Sequence, residues 1–378
     1  MLSKLSIGLD RTNTSVIGQW WWTVDRWLLA AVGLLMFLGA VLIMASSHAV
    51  AQRIGLHPFY FANRQLFFLV IGVGLLFLFS MLNQVQMRRV AVISFALSMI
   101  LLMLLPLIGD ETKGARRWID VFGTSIQPSE IAKPFFTVVL AWVLSLMHTK
   151  QAFPGFKIAT GVYLFTALFL VIQPDIGMTV VYTVVWGALM FLAGMPVLIA
   201  SILAGMGILG MVAAYFIFPH VSQRINTFLD PTKGDNYQVN KSLQSFANGG
   251  LLGQGPGDGE IKASLPDSHT DFIFAVAGEE LGVIACIGII SIFAFILLRG
   301  FRRAMQENDL FVVYAVAGLL IQFGFQALVN MGVAVNLLPN KGITLPFISY
   351  GGSSMISVSI TMGMVLGLTR RRFGTLHR

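Results

Sequence analysis

A few charged residues stand out in a chain that is otherwise strongly apolar. Arg116, Arg117 and Trp118 fall in GARRWI at 114–119, and Glu130 and Lys133 in QPSEIAK at 127–133. Asp175 lies in QPDIG at 173–177. Asp267, His269, Asp271, Glu279 and Glu280 fall in LPDSHTDFIFAVAGEELG at 265–282, and Lys341 precedes LPFISYGGSS at 345–354. Charged groups in or beside long apolar segments are costly and are functional candidates by default. Arg117, Lys133, Lys262 and Lys341 suit an anionic headgroup such as a phosphate or pyrophosphate. A carboxylate nearby, Asp175 or Asp271, can deprotonate a hydroxyl. The chemistry these residues offer is the handling of a phosphorylated lipid, by moving it or by reacting it.

Each residue also has a plainer reading. Glu130 and Lys133 are three apart and can simply pair on one helix face. Trp118 fits an interfacial anchor. Asp175 and Asp271 each precede an apolar run and suit helix capping. His269 reads as a loop hydrogen-bonder, because no second histidine stands at ligand spacing. Glu279 and Glu280 differ by about 100° on a helix and are not expected to face one site. GGLLGQGPGDGE at 249–260 lacks the GK[ST] ending of a phosphate cradle and reads as a flexible loop. No HExxH, CxxC or GxSxG occurs, so zinc hydrolysis, thiol redox chemistry and serine acyl transfer are disfavoured. No metal site is expected.

The elements that must position these residues follow from composition. Of 378 residues, 56% are apolar and only 11% charged, with a mean hydropathy of +0.79. A soluble domain averages about 25% charged. An ordinary soluble enzyme, a disordered chain and a transmembrane β-barrel are all excluded. What remains is an all-α polytopic membrane protein without strands. Ten segments can cross a bilayer: 27–46, 65–82, 90–108, 131–147, 158–172, 176–193, 196–218, 273–298, 310–332 and 345–368. The fourth and fifth are short and are expected to extend into their flanks or to sit where the protein thins the membrane. Two long polar loops, 109–130 and 219–272, share one face. The second contains a short amphipathic helix near 237–247, suited to lying on the membrane surface.

Charge sets the orientation. With the N-terminus inside, the cytoplasmic segments carry 14 bases and 4 acids, while the outer loops and spans carry 11 bases and 13 acids. The positive-inside rule therefore places both termini in the cytoplasm and the long loops outside. The net charge of +8 is explained by this bias, so nucleic acid is not an expected partner. The domain reading is a cytoplasmic tail at 1–26, a ten-helix membrane domain at 27–368 and a basic cytoplasmic tail at 369–378. The single cysteine, Cys286, excludes an intramolecular disulfide. No removable signal peptide is expected.

GARRWI, QPSEIAK, QPDIG, YQVNKSL, GGLLGQGPG, LPDSHTDFIFAVAGEELG and LPFISYGGSS together resemble the SEDS family (shape, elongation, division, sporulation) over nearly the whole chain. Asn340-Lys341-Gly342 resembles the family's FtsW, or division, branch; the RodA, or elongation, branch usually carries Thr-Gly at the second and third of these positions. The resemblance implies a ten-span peptidoglycan glycosyltransferase of the inner membrane. It would polymerise lipid II on the periplasmic face at the division septum. Partners so implied are a class B penicillin-binding protein transpeptidase and a division complex. The essential carboxylate of the family falls on Asp271. Substrate-binding positions would be Arg117, Lys133, Lys341 and His269, supported by Glu130, Asp175, Trp118 and Glu280. No cofactor is required by the sequence, although Mg2+ or Mn2+ could take part.

Overall fold

The computed structural model describes residues 15–112, 115–121, 123–229, 237–339 and 342–370. The first turn of structure is α1 (Val16–Thr23). Long apolar helices follow: α2 (Arg26–Arg53), α3 (Tyr60–Met81), α4 (Gln84–Ile108), α5 (Pro128–Leu146), α6 (Gly155–Ile172), α7 (Ile176–Leu192) and α8 (Val197–Ile217). Three shorter helices, α9 (Pro219–Leu229), α10 (Tyr237–Gly249) and α11 (Ile261–Ser264), precede α12 (Ile273–Ala304), α13 (Leu310–Ala334) and α14 (Gly352–Leu368). Nine of the ten expected spans fall on one helix each, whereas the last, 345–368, is helical only from Gly352, because Ser349 to Gly351 hold its first seven residues in a non-helical segment. Eight of these helices are long and apolar enough to cross a membrane, while α7 and α14 are 17 residues each. Seventeen residues rise about 25 Å, the short end of the spanning range. The fourth and fifth spans do extend into their flanks, as α5 and α6.

Local chemistry sets the helix ends. Asp25 caps α2, accepting from the Trp27 and Leu28 N–H groups at 3.1 and 3.2 Å. Asn83 and Gln86 form a reciprocal capping box on α4. Asp175 caps α7 and Asp309 caps α13. Pro128 opens α5, where its missing N–H costs nothing.

Ties between distant segments identify the two ends of the bundle. At one end Asp25 Oδ1 lies 2.8 Å from Arg299 Nε, Asp25 Oδ2 lies 2.9 Å from Arg303 Nε, and Arg370 donates to Thr23. Burial works against the charged form of Asp25, but hydrogen bonds from Arg299, Leu28 N–H and Arg303 outweigh it and hold the carboxyl below its ordinary range. At the other end Gln127 N–H donates to Ser353, Arg117 reaches the link between α6 and α7, and Ser242 donates to the Ala334 carbonyl. The centre is formed by α5, α13 and α14, which are buried along most of their length, whereas α8 has no buried residue.

Four expectations need correction. The loop at 109–130 is not strand-free. It holds an antiparallel sheet of β1 (Asp110–Thr112), β2 (Ala115–Val121) and β3 (Thr124–Ile126), in that order. The alternation in β2 is short, and a search for twenty-residue spans passes over it. Arg64 of α3 fastens the β2–β3 turn through the Gly123 carbonyl and Thr124 Oγ1, at 3.0 and 3.1 Å.

The amphipathic helix α10 is docked on α12 and α13, through Phe246 against Phe274 and the buried Ser242, Ser245 and Gly249, rather than lying free on a membrane surface, while Leu243 of its apolar side stays exposed. The segment after it is not a loose loop either. In an unbroken helix the N–H groups of Val283 and Ile284 would donate to the carbonyls of Glu279 and Glu280. Gly282, at φ 80° and ψ 174°, breaks α12 and redirects all four groups. Val283 and Ile284 donate to Gly250 and Leu251 carbonyls at 3.0 and 3.3 Å, and the Glu279 and Glu280 carbonyls accept from Gln254 and Gly255, both at 3.0 Å. The Gly-rich segment is thus spliced into the helix ladder. Only glycine fits at 282, both for its backbone conformation and because a Cβ would meet Gly253 N at 2.4 Å.

Glu279 and Glu280 do engage one residue. Glu279 Oε2 accepts the Lys262 N–H at 2.9 Å, while Glu280 Oε1 pairs with Lys262 Nζ. A segment wrapping across a helix can offer its backbone to one direction and its side chain to the next, which a count of degrees around one helix does not anticipate.

Candidate active site

The end of the bundle that holds Gln127, Ser242 and Ser353, the expected outer end, gathers most of the residues singled out above into two neighbouring groups. In the first, β2 projects Arg117 onto the α6–α7 link. Its Nε donates to the Gln173 carbonyl at 3.0 Å, Nη2 donates to the Pro174 carbonyl, and Nη1 lies 4.0 Å from Asp175 Oδ1. Asp175 also accepts from the Gln127 side chain at 3.0 Å and from Met178 N–H at 3.2 Å. Burial pushes its carboxyl above the ordinary value, against the pull of Arg117 and the Met178 N–H. The capping role read for Asp175 holds, and the ion pair is added to it.

Lys133 is 1% exposed and sits 2.7 Å from Glu130 Oε2. The expected pairing is present. Apart from this ion pair, Lys133 Nζ makes no hydrogen bond in the structure. It is buried in the interior of the bundle rather than at its surface. Three rungs of polar side chains cross this core. Thr137, Gln322 and Thr361 form the innermost, with Thr137 donating to Gln322 at 2.9 Å and Gln322 to Thr361 at 3.5 Å. The outer ends of α5 and α14 are their N-termini, while that of α13 is its C-terminus. One turn outward therefore brings Lys133, Gln326 and Ser357 level, and the next brings Glu130, Asn330 and Ser353. Ser357 Oγ donates to the Glu130 carbonyl at 2.6 Å, in keeping with this register.

The second group is the turn that carries Asp271, which is half-buried. Three backbone carbonyls hold this turn from behind. His269 O accepts from Tyr350 N–H at 2.8 Å, Thr270 O from Ser349 Oγ at 2.6 Å, and Asp271 O from Asn330 Nδ2 at 2.9 Å. The cap position of α12 is Phe272, with no side-chain cap bond, so the capping role read for Asp271 is not what its side chain does. The carboxylate adjoins Gly342; a Cβ on that residue would lie 3.6 Å from Asp271 Oδ2. Lys341 lies outside the described residues.

His269 is buried, with its ring 4.4 Å from Phe61 and 5.4 Å from Tyr350. Its Nδ1 has no hydrogen-bond partner in the structure, so the loop hydrogen-bonding role is not seen there. Burial, reinforced by Arg53 and opposed by Asp267, pushes the imidazole down to about 4, which keeps it neutral at working pH. The two groups meet through LPFISYGGSS. Ser353 holds Gln127, Ser354 bonds Thr344 at 2.6 Å, and Ser349 holds Thr270. Two candidates lie outside these two groups. Glu280 is engaged with Lys262, and half-buried Trp118 pairs with Asp110 across β1 and β2.

Phe61, Arg64, Gln127, Gln326 and Asn330 escaped the sequence reading. The four-residue spacing of Gln322, Gln326 and Asn330 in an apolar span was the available signal. Among the described residues no three His, Cys, Asp or Glu side chains gather to hold a metal ion.

A family model described as "Cell cycle protein", covering FtsW, RodA and SpoVE, matches residues 25–373. A Caulobacter vibrioides relative named "Probable peptidoglycan glycosyltransferase FtsW" is 43% identical over 99% of this chain and 96% of its own. One of that name from Saccharophagus degradans is 36% identical over 90% of each. Among solved structures, one from work on how a peptidoglycan synthase complex coordinates polymerization and crosslinking matches at TM-score 0.75. It is 27% identical over 92% of this chain and 97% of the other. The Thermus thermophilus rod shape determining protein RodA matches at TM-score 0.67, with 26% identity over the same shares. Helix order, the HTDF turn packed on LPFISYGGSS, and these likenesses agree: the chain belongs to the SEDS family and is of the FtsW type.

Proposed function

We propose that this chain, a peptidoglycan glycosyltransferase, polymerises lipid II into septal glycan strands with Asp271 as general base. The growing glycan is the donor, and polyprenyl pyrophosphate leaves. The acceptor is the 4-hydroxyl of the GlcNAc on lipid II. Asp271 takes the hydroxyl proton as the new bond forms, and the anomeric centre inverts. Arg117 and Lys341 supply positive charge toward the departing pyrophosphate. Lys133 reaches it only if the outer rungs part, and Glu130 and Asp175 orient the bases. His269, neutral, is a hydrogen-bonding group for the sugar. A divalent cation, Mg2+ or Mn2+, if used, would add positive charge at the departing pyrophosphate beside Arg117 and Lys341. The protein is read as crossing the inner membrane ten times, with both termini cytoplasmic and the Asp271 turn periplasmic at the septum. A class B penicillin-binding protein is its transpeptidase partner within the division complex.

The observation that carries the reading is the Asp271 turn: a half-buried carboxylate at the outer end, on a backbone held at three successive carbonyls. Preorganisation of this kind is what a general base needs.

The competing reading is a lipid II flippase. The polar rungs extend from Asn330 to Gln322, about 12 Å at the helical rise, against a hydrocarbon core of about 30 Å. Toward the cytoplasmic end the same helices bury Leu140, Leu144, Val316, Leu319, Val365 and Leu366. A polar path that stops within the bundle favours reaction over transport. A scaffold without activity is the third reading, and predicts that Asp271 is dispensable.

The test is polymerisation of labelled lipid II in detergent, with the transpeptidase present. Asp271→Asn is expected to slow it by about 10²–10⁴-fold, the scale of a general base. Near-wild-type polymer from this variant removes Asp271 from catalysis, and absence of polymer from the wild type favours transport.

A further inference from the structure

The segment from Ile261 to Glu280 forms a closed loop, and its two ends are fastened to each other. Glu279 Oε1 accepts the Ile261 N–H at 2.7 Å and Oε2 accepts the Lys262 N–H at 2.9 Å. Glu280 pairs with Lys262 Nζ, which also donates to the Gly257 carbonyl at 2.7 Å. Asp271 lies midway between these ends. Both glutamates and the lysine are buried, and a buried carboxylate that accepts two backbone N–H groups is a strong, directional anchor. The neck is held from outside as well, since Asn248 Nδ2 donates to Glu279 Oε1 at 3.0 Å and the Gly282 splice fixes the backbone of both glutamates.

We infer that Glu279, with Lys262 and Glu280, is a positioning residue for Asp271, setting where the catalytic turn stands relative to the acceptor hydroxyl. This rests on the general-base reading above. The three carbonyl ties hold the turn's back to α13 and to the 344–351 segment; the neck fixes the direction from which the loop approaches them. Without it, α11 and the first turns of α12 can slide past each other, and the carboxylate moves with them. Displacement of a catalytic group by about 1 Å is enough to cost up to about 10²-fold in rate.

The test uses the full-length protein with its transpeptidase partner and labelled lipid II. Glu279→Gln is nearly isosteric, but it sets an amide N–H against the Lys262 N–H and opens one arm of the neck. Its kcat is expected to fall about 10–100-fold, with KM for lipid II within twofold. The acidic limb of its pH–rate profile is expected to shift in midpoint. A purely structural role lowers the active fraction, which scales the profile without moving its midpoint. Asn248→Ala removes one hydrogen bond and leaves the neck backbone alone; it is expected to give a smaller loss of the same kind, about twofold to tenfold. It carries the test if Glu279→Gln does not fold. Wild-type kcat and midpoint in both variants, or a loss that only scales the profile, overturns the inference. Asp271→Asn run alongside separates the two claims: if it is inactive while the neck variants behave as wild type, the base stands and the neck fails. If Asp271→Asn polymerises normally, the base reading itself falls.

Discussion

Gln326 offers a prediction whose sign is set by two atoms. The side chain is 1% exposed in the centre of the bundle, and neither Oε1 nor Nε2 has a hydrogen-bond partner in the structure. A buried amide left unpaired costs roughly 1–3 kcal/mol, and leucine occupies nearly the same volume without that cost. Gln326→Leu is therefore expected to stabilise the protein by about 1–3 kcal/mol. Gln322, one turn inward, is the control. Its Oε1 accepts from Thr137 and its Nε2 donates to Thr361. Both hydroxyls keep a bond to the carbonyl four residues back, at 3.0 and 2.8 Å, when Gln322 is removed. Gln322→Leu should thus cost only about 1 kcal/mol. Two glutamines four residues apart on one helix are expected to respond with opposite sign. Thermal unfolding in a mild detergent, followed by tryptophan fluorescence, reads both. A melting temperature for Gln326→Leu below wild type would mean the amide is satisfied by ordered water, and would refute the reasoning.

Two further substitutions test the ends of the bundle. Asp25→Asn strips the carboxylate between Arg299 and Arg303 and should destabilise by about 2–3 kcal/mol, below the usual range for a broken buried pair because both guanidinium groups are partly solvated. The folded-state carboxyl titrates below its ordinary 3.8, so this contribution is complete above about pH 4 and is lost as pH falls through the folded value; the gap to wild type in a melting series should close in acid. Arg117→Lys keeps the charge but cannot span Gln173 O, Pro174 O and Asp175 together. Polymerisation should fall about tenfold with little change in melting temperature, and an unchanged rate would take Arg117 out of the site.

Much of the site was legible because membrane burial makes charge conspicuous. Glu130 with Lys133, Asp175 as a cap, Asp271, and the last span's Gly-Ser segment were all visible as polar residues in apolar surroundings. The Asp271 turn was legible as a place but not as a construction, since its anchors are backbone carbonyls, which carry no signature in residue type. Lys133 illustrates the converse. Its type and position suggested an outward-facing base, yet it is buried inside the bundle, and helix packing is not written in spacing alone. The strands at 110–126 and the splice at Gly282 were missed for a common reason. Each depends on hydrogen bonds between segments, while periodicity reports only how one segment faces its surroundings.

The splice at Gly282 also bears on how this chain tolerates change in length. Glycine-rich stretches are ordinarily where insertions and deletions accumulate, because nothing beyond their ends constrains them. Here the residues from Gly250 to Gly255 are in register with four groups of a membrane helix. One residue gained or lost would misalign both partners at once and take from four backbone groups the partners they have here. This glycine-rich stretch is therefore as fixed in length as a strand inside a sheet.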